Sequence, residues 1–275
     1  MLLFKLPYFS LKNSMKTYTT LSLFFVLISF YTMAQKVNSS WNNNMVIAHR
    51  GAWKQNNLPE NSIAALKQAI KLKCYGAEFD IHMTLDSVIV INHDHDFMGM
   101  PIATTAYQTL LTKKLANGES IPTLENYLKT GMKQKRTKLI LEIKPQKLNQ
   151  EIDLKLTRKV VAMVKDLKAE AWVEFISFGY DICREIIVQM PKASVAYLGG
   201  EVAPEKLKTD GLTGFDYHFS VLKKNDWITS AKKIGLSTNV WTVNSAEDMQ
   251  WFVDKQIDFI TTNEPELLFK LLKAK

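Results

Sequence analysis

The run Ala77-Glu78-Phe79-Asp80-Ile81-His82-Met83 is separated by only four residues, Thr84-Leu85-Asp86-Ser87, from Val88-Ile89-Val90-Ile91-Asn92-His93. Both runs are apolar and β-branched or aromatic in the way strands are. In an extended chain, Glu78, Asp80 and His82 fall on one face and Phe79 and Ile81 on the other. Four residues close a hairpin, whereas two parallel strands need a crossover of about a dozen or more. Residues 88–93 are therefore expected to run antiparallel to 77–83 and to lead into an irregular insert ending near residue 120.

On both sides of this excursion the chain has a different rhythm. Strand-like runs are expected at 45–49, 77–83, 138–143, 171–178, 194–198, 215–220, 237–243 and 258–262. Helical patterns occupy 62–73, 124–133, 153–168, 180–189, 223–233 and 246–255, with a closing helix at 264–272. Alternation at this spacing implies parallel strands joined by right-handed crossovers. Eight such strands close as a (β/α)8 TIM barrel, an α/β fold, here with a small insertion (about 88–120) after the second barrel strand. An open doubly wound sheet is the competing arrangement, but no glycine-rich phosphate turn follows the first strand.

Residues 1–34 stand apart. Lys5, Lys12 and Lys16 are their only charges, and an apolar run from Leu21 to Tyr31 leads to Thr32-Met33-Ala34. A basic start, a short apolar core and a small-x-small exit read as a secretory signal peptide, with Met15-Lys16 as an alternative start. The apolar run is about half of what crosses a bilayer. The protein is accordingly expected to be exported, periplasmic or secreted, with residues 35–275 as one domain and no membrane anchor after processing. That domain carries 32 basic against 27 acidic residues, a net +5. The lysines are scattered as on solvated helix faces, so nucleic acid is not an expected partner. Two cysteines, Cys74 and Cys183, are too few for a disulfide framework and lack metal-ligand spacing, and both lie in apolar-periodic stretches.

In a barrel the chemistry lies at the C-terminal ends of the strands, and polar groups recur there. The first strand ends His49-Arg50-Gly51, the second carries Glu78 and Asp80, the hairpin ends His93-Asp94, and the third barrel strand ends Glu142-Ile143-Lys144. Two carboxylates on one face, with Glu142 on the adjacent strand and Glu60 nearby, repel one another unless a cation sits between them. Three carboxylates without thiols suit a hard divalent cation, Ca²⁺ or Mg²⁺. Arg50 and Lys144 at the same end add phosphate recognition. His49 and His93 then form a general acid–base pair. His82, His95 and His218 take the default structural role.

These residues resemble the glycerophosphodiester phosphodiesterase family. The likeness is carried in order by His49-Arg50-Gly51, Pro59-Glu60-Asn61-Ser62, Glu78-Phe79-Asp80, Thr84-Leu85-Asp86, His93-Asp94, Ile121-Pro122-Thr123-Leu124-Glu125, Leu141-Glu142-Ile143-Lys144 and Trp241-Thr242-Val243-Asn244. The resemblance implies a (β/α)8 barrel that uses one divalent cation to hydrolyse glycerophosphodiesters to an alcohol and glycerol phosphate. It implies Glu78, Asp80 and Glu142 as metal ligands and His49 and His93 as catalytic residues. Arg50 and Lys144 would hold phosphate, Trp241 would form an apolar wall and Glu60 a supporting carboxylate. After His93-Asp94 the family often shows an Arg and threonines, whereas this chain reads His95-Asp96-Phe97-Met98-Gly99-Met100-Pro101. The departure bears on the leaving alcohol and not on the reaction centre. The alternatives are a phospholipase C-like or sphingomyelinase D-like barrel acting on intact lipids, for which an apolar insert is the hint, and a barrel that binds a phosphodiester without cleaving it.

Overall fold

The computed structural model describes residues 41–274, so the expected signal segment lies outside the described residues. The barrel strands are β1 (Val46–Ala48), β2 (Gly76–Met83), β6 (Lys138–Ile143), β7 (Val173–Ser177), β8 (Val195–Tyr197), β9 (Gly214–His218), β10 (Ser237–Trp241) and β11 (Phe259–Thr262). All eight pair in parallel, and β1 bonds both β2 and β11, which closes the ring. The TIM barrel expected from the alternation is what the chain forms.

The hairpin is also present. Strand β3 (Ile89–Ile91) runs antiparallel to β2 with Ile81 opposite Ile91 and Met83 opposite Ile89. The insert beyond it is more ordered than expected. It holds a small hairpin of β4 (Asp96–Phe97) and β5 (Met100–Pro101), a 3₁₀ turn at Ile102–Thr104 and the short helix α2 (Tyr107–Leu110). Its apolar residues Val90, Phe97, Ile102, Leu110 and Ile121 form their own buried cluster. That burial explains why the insert reads as apolar, and it removes Phe97 and Ile102 from any exposed lipid-facing rim.

Local signals place the helices that brace the site. Helix α1 (Ile63–Leu72) starts at Ser62, whose hydroxyl accepts from the Ala65 amide at 3.0 Å, and ends at Lys73 in the left-handed conformation. Glu119 of the insert accepts from the Ile63 and Ala64 amides at 2.9 and 3.1 Å, so the insert caps the first turn of α1 with negative charge. Gly51 has φ +78°, and a Cβ there would stand 2.7 Å from the Ala65 carbonyl carbon. Only glycine lets the turn after β1 approach α1 so closely. Thr123, Asn149 and Ser245 cap α3 (Leu124–Gly131), α4 (Gln150–Asp166) and α9 (Ala246–Asp254) by the same chemistry. Helices α5 (Tyr180–Gln189), α6 (Pro204–Thr209) and α10 (Pro265–Lys273) complete the crossovers that flank the later strands.

Several boundaries differ from expectation and the helix Pro204–Thr209 was not expected; the clearest differences surround β9. Strand β9 stops at His218, whose Nδ1 accepts from the Ser220 amide and begins the short helix α7 (Phe219–Leu222). The helix expected over 223–233 is confined to α8 (Trp227–Lys233). Asn225 donates to the Val221 carbonyl and accepts from the Trp227 amide, which ends one helix and starts the next. Among the described residues, no helix is long and apolar enough to cross a membrane.

The core has two compartments. Outward-facing strand residues such as Phe79, Phe215 and Tyr217 pack against the helices, with Phe79 and Tyr127 ring centroids 4.3 Å apart. Inside the ring, Ile47, Ile140, Ile176 and Leu198 form a smaller cluster that plugs the barrel. The plug is a packed layer, and it becomes the floor of the site.

Candidate active site

Above the plug, a cavity of about 100 Å³ opens at the C-terminal end of the strands. His49, Arg50, Glu78, His93, Glu142, Lys144 and Trp241 all line it. Glu78, Asp80 and Glu142 are buried and offer ligand oxygens that lie within 4.8 Å of one another. Cross-strand register explains the trio: Asp80 stands beside Glu142 on the adjacent strand, and the two-residue period puts Glu78 on the same face.

The donor set fits a hard divalent cation. Glu78 Oε1 is buried without a hydrogen-bond partner, a costly state for a carboxylate unless something positive meets it. Lys144 Nζ lies 3.0 Å from both Asp80 Oδ1 and Glu142 Oε1 and supplies the one positive charge touching two of the three. Burial, then the charge of Asp80, pushes the Glu78 and Glu142 carboxyls above their ordinary range. Burial pushes Asp80 the same way, but Lys144, His93 and the Asn61 amide outweigh it and hold Asp80 low. The Lys144 ammonium and the Arg50 guanidinium, whose Nε lies 3.9 Å from Asp80 Oδ2, leave Glu78 Oε1 unmatched, and a divalent cation would complete the set.

Arg50 is fixed from several sides. Its backbone is left-handed at φ 56°, its amide donates to Glu78 Oε2 at 2.8 Å, and its NH1 meets both Glu60 oxygens at 2.8 and 2.9 Å. Glu60 therefore contacts Arg50 and not the carboxylate trio. Arg50 Nε is buried with no hydrogen-bond partner, 3.9 Å from Asp80 Oδ2, which leaves its N–H as a donor for a phosphate oxygen.

His49 Nδ1 lies 2.7 Å from Asn263 Oδ1, and Nε2 lies 3.9 Å from Glu78 Oε2. Burial, then the neighbouring Arg50 charge, lowers its pKa to about 4, so the ring is neutral near neutrality. With an amide oxygen facing Nδ1, that nitrogen carries the proton and Nε2 is the free acceptor. His93 Nδ1 lies 2.7 Å from Asp94 Oδ1, and this contact lowers the Asp94 pKa, keeping a carboxylate beside the ring. Trp241 stands edge-on to Phe178 at 5.4 Å and to His218 at 5.0 Å, an aromatic side of the cavity.

All nine residues singled out in the sequence therefore meet at one end of the barrel. Several partners were not assigned roles there. Asn61 donates to Asp80 Oδ2 at 2.8 Å and accepts from the Asp80 amide. His82 is buried, contacts the His93 carbonyl at 3.1 Å through Nε2, and neighbours the Gln146 amide, which also donates to the Lys144 carbonyl. His82 is structural, but what it supports is the segment bearing His93. The period-two pattern of β9 marks Asp216 as inward-facing between Phe215 and Tyr217, a signal available from sequence. Cys74 and Cys183 are free and buried, so they form no bridge.

Comparison with known proteins agrees with this arrangement. Residues 49–267 match the sequence profile of the Glycerophosphoryl diester phosphodiesterase family. A glycerophosphodiester phosphodiesterase of Caldanaerobacter subterraneus subsp. tengcongensis is 29% identical over 246 residues, covering 83% of this chain and 98% of that one. A crystal structure of a glycerophosphodiester phosphodiesterase from Parabacteroides distasonis superposes with TM-score 0.82 at 42% identity, over 86% of this chain and 99% of that one. An Oleispira antarctica phosphodiesterase, solved with the product sn-glycerol-3-phosphate, shares the fold with TM-score 0.72 at 21% identity, over 84% and 97% of the two chains. The chain belongs to the glycerophosphoryl diester phosphodiesterase family, and with it to the phosphoric diester hydrolases.

Proposed function

We propose that this chain hydrolyses glycerophosphodiesters to an alcohol and glycerol phosphate, with His49 and His93 as the acid–base pair and Ca²⁺ or Mg²⁺ as cofactor. The observation that carries the reading is that both histidines, Arg50, Lys144, Glu78 and Glu142 line one small cavity. The product bound to the Oleispira antarctica relative is consistent with that substrate class.

Glu78, Asp80 and Glu142 would hold the cation, which when bound neutralises charge on the phosphoryl oxygens. Arg50 Nε and Lys144 orient the same phosphoryl group. His49 is neutral with Nε2 free, so it takes the proton of the glycerol hydroxyl adjacent to the phosphoester. That oxygen attacks phosphorus as the bond to the leaving alcohol breaks. His93, paired with Asp94, delivers a proton to the departing oxygen. Water then opens the cyclic phosphate with the two roles reversed, returning both rings to their starting state.

Action on lipids is a second reading with one observation behind it. Leu85, Met98, Leu148 and Phe178 are exposed on four different loops that follow strands at the site's end of the barrel. Export is a further proposal resting on the sequence of residues 1–34, and the mass of the native protein tests it: a mature start near Gln35 is expected. The functional reading is tested by assaying glycerophosphodiesters and bis(4-nitrophenyl) phosphate with added Ca²⁺ or Mg²⁺. Turnover of the glycerophosphodiesters is expected, whereas bis(4-nitrophenyl) phosphate, which lacks the neighbouring hydroxyl, should turn over far more slowly; silence on both would leave a binding barrel.

A further inference from the structure

Strand order places β9 across the ring from β2, so the wall facing the acidic trio is built by β9 and its neighbours. That wall carries a polar ladder that the reaction scheme does not use. Asp216 on β9 stands beside Asn239 on β10, and Asn239 Nδ2 donates to Thr261 Oγ1 on β11 at 3.0 Å. All three are at most 6% exposed. The plug in the same interior is aliphatic, with Ile47, Ile140, Ile176 and Leu198. A carboxyl group among them needs a reason.

Asp216 lines the same cavity as the two histidines, and its Oδ1 is buried with no hydrogen-bond partner among the described residues. Its backbone carbonyl accepts from the Trp241 indole at 3.0 Å, which fixes the aromatic wall to this position. An unpartnered buried carboxyl oxygen is costly in a protein that gains nothing from it. Burial, and next the charge of Glu142, pushes this carboxyl well above its ordinary range, and a hydrogen bond from Asn239 opposes them only in part. A protonated carboxyl offers both a donor and an acceptor, which matches a hydroxyl group and not an ammonium.

The size of the cavity selects between the two arms of a diester. The cavity of about 100 Å³ is closed below by the aliphatic plug, so its inner end suits the short three-carbon glycerol arm. The leaving alcohol would then lie toward the mouth, where Phe178 lines the cavity. With phosphate held by Arg50 and Lys144, the glycerol chain would run inward toward the opposite wall. We propose that Asp216 is a specificity residue that hydrogen-bonds the terminal hydroxyl of the substrate's glycerol moiety, the one not adjacent to the phosphoester. The inference rests on the proposed phosphodiesterase reading.

The test compares two diesters with the same leaving alcohol, one of glycerol and one of propane-1,2-diol. The second keeps the hydroxyl adjacent to the phosphoester and lacks the terminal one. The ratio of their kcat/KM values is measured on metal-loaded wild type, Asp216→Asn and Asp216→Ala. Wild type is expected to prefer the glycerol diester by about 10- to 100-fold, the scale of a buried polar group left unpaired. Asp216→Asn, which keeps a donor and an acceptor, is expected to retain most of that preference, and Asp216→Ala to lose it. Equal losses on both diesters in Asp216→Ala would overturn the inference and leave Asp216 a structural group. So would a wild type that does not distinguish the diesters, a result available even if the alanine variant does not fold. A wild type inactive on both contradicts the phosphodiesterase reading itself, and this inference falls with it.

Discussion

His49 Nδ1 lies 2.7 Å from Asn263 Oδ1, and this one contact decides which nitrogen of the ring is available. Asn263 follows β11 directly, and its amide donates to Asn244 Oδ1 at 2.9 Å, so the orienting residue is itself held. Replacing Asn263 by Leu should free the ring to rotate and to change tautomer. We expect kcat to fall by about 10- to 100-fold, within the range of a positioned proton-transfer group, with KM little changed. An unchanged kcat would remove Asn263 from the account.

The carboxylate trio makes a different prediction, about stability as well as rate. Glu78→Gln should abolish turnover, because one of three ligands is lost. The same change relieves repulsion with Asp80 and Glu142 in the metal-free protein, so its melting temperature without metal should equal or exceed that of wild type. Added Ca²⁺ or Mg²⁺ should raise the melting temperature of wild type and not of the variant. A wild type whose melting is indifferent to both ions contradicts the metal assignment.

His49→Ala and His93→Ala should each lose about 10²- to 10⁴-fold in kcat on a natural diester. A 4-nitrophenolate leaving group needs no proton to depart, so it should partly rescue His93→Ala and leave His49→Ala inactive. The reverse pattern would exchange the two roles.

The cysteines supply a pH test of the fold. Burial raises the Cys183 thiol from 9.0 to about 12, and Cys74 is raised in the same direction. For an acid with a raised folded pKa, stability is full below the unfolded value and falls as pH rises above it. Native protein should therefore resist a thiol reagent at pH 8 and lose stability progressively above about pH 9. Cys183→Ala should lose less over that range. Rapid labelling of native wild type at pH 8 would contradict the burial.

The barrel and the carboxylates of the candidate site were legible in the sequence because both follow from short-range rules. Four residues between 83 and 88 permit only a hairpin, and Glu78 and Asp80 share a face by the period of a strand. What sequence hid were partners joined by ring closure. Asn263 meets His49 only because β11 bonds β1, across 214 residues of chain. His82 meets Gln146 across 64 residues through the β2–β6 pairing. The insert misled for a related reason, since Val90, Phe97, Ile102, Leu110 and Ile121 turn onto one another, while Met98 stays exposed.

The most direct measurement follows a glycerophosphodiester by phosphorus NMR with the purified protein, in the presence of Ca²⁺ or Mg²⁺ and again with chelator. The account predicts conversion of the diester signal to glycerol phosphate with release of the free alcohol, and arrest of the reaction by chelator. Appearance of the phosphorylated alcohol with free glycerol would place the cut on the other side of phosphorus, and full conversion in chelator would remove the cation; either result contradicts the account.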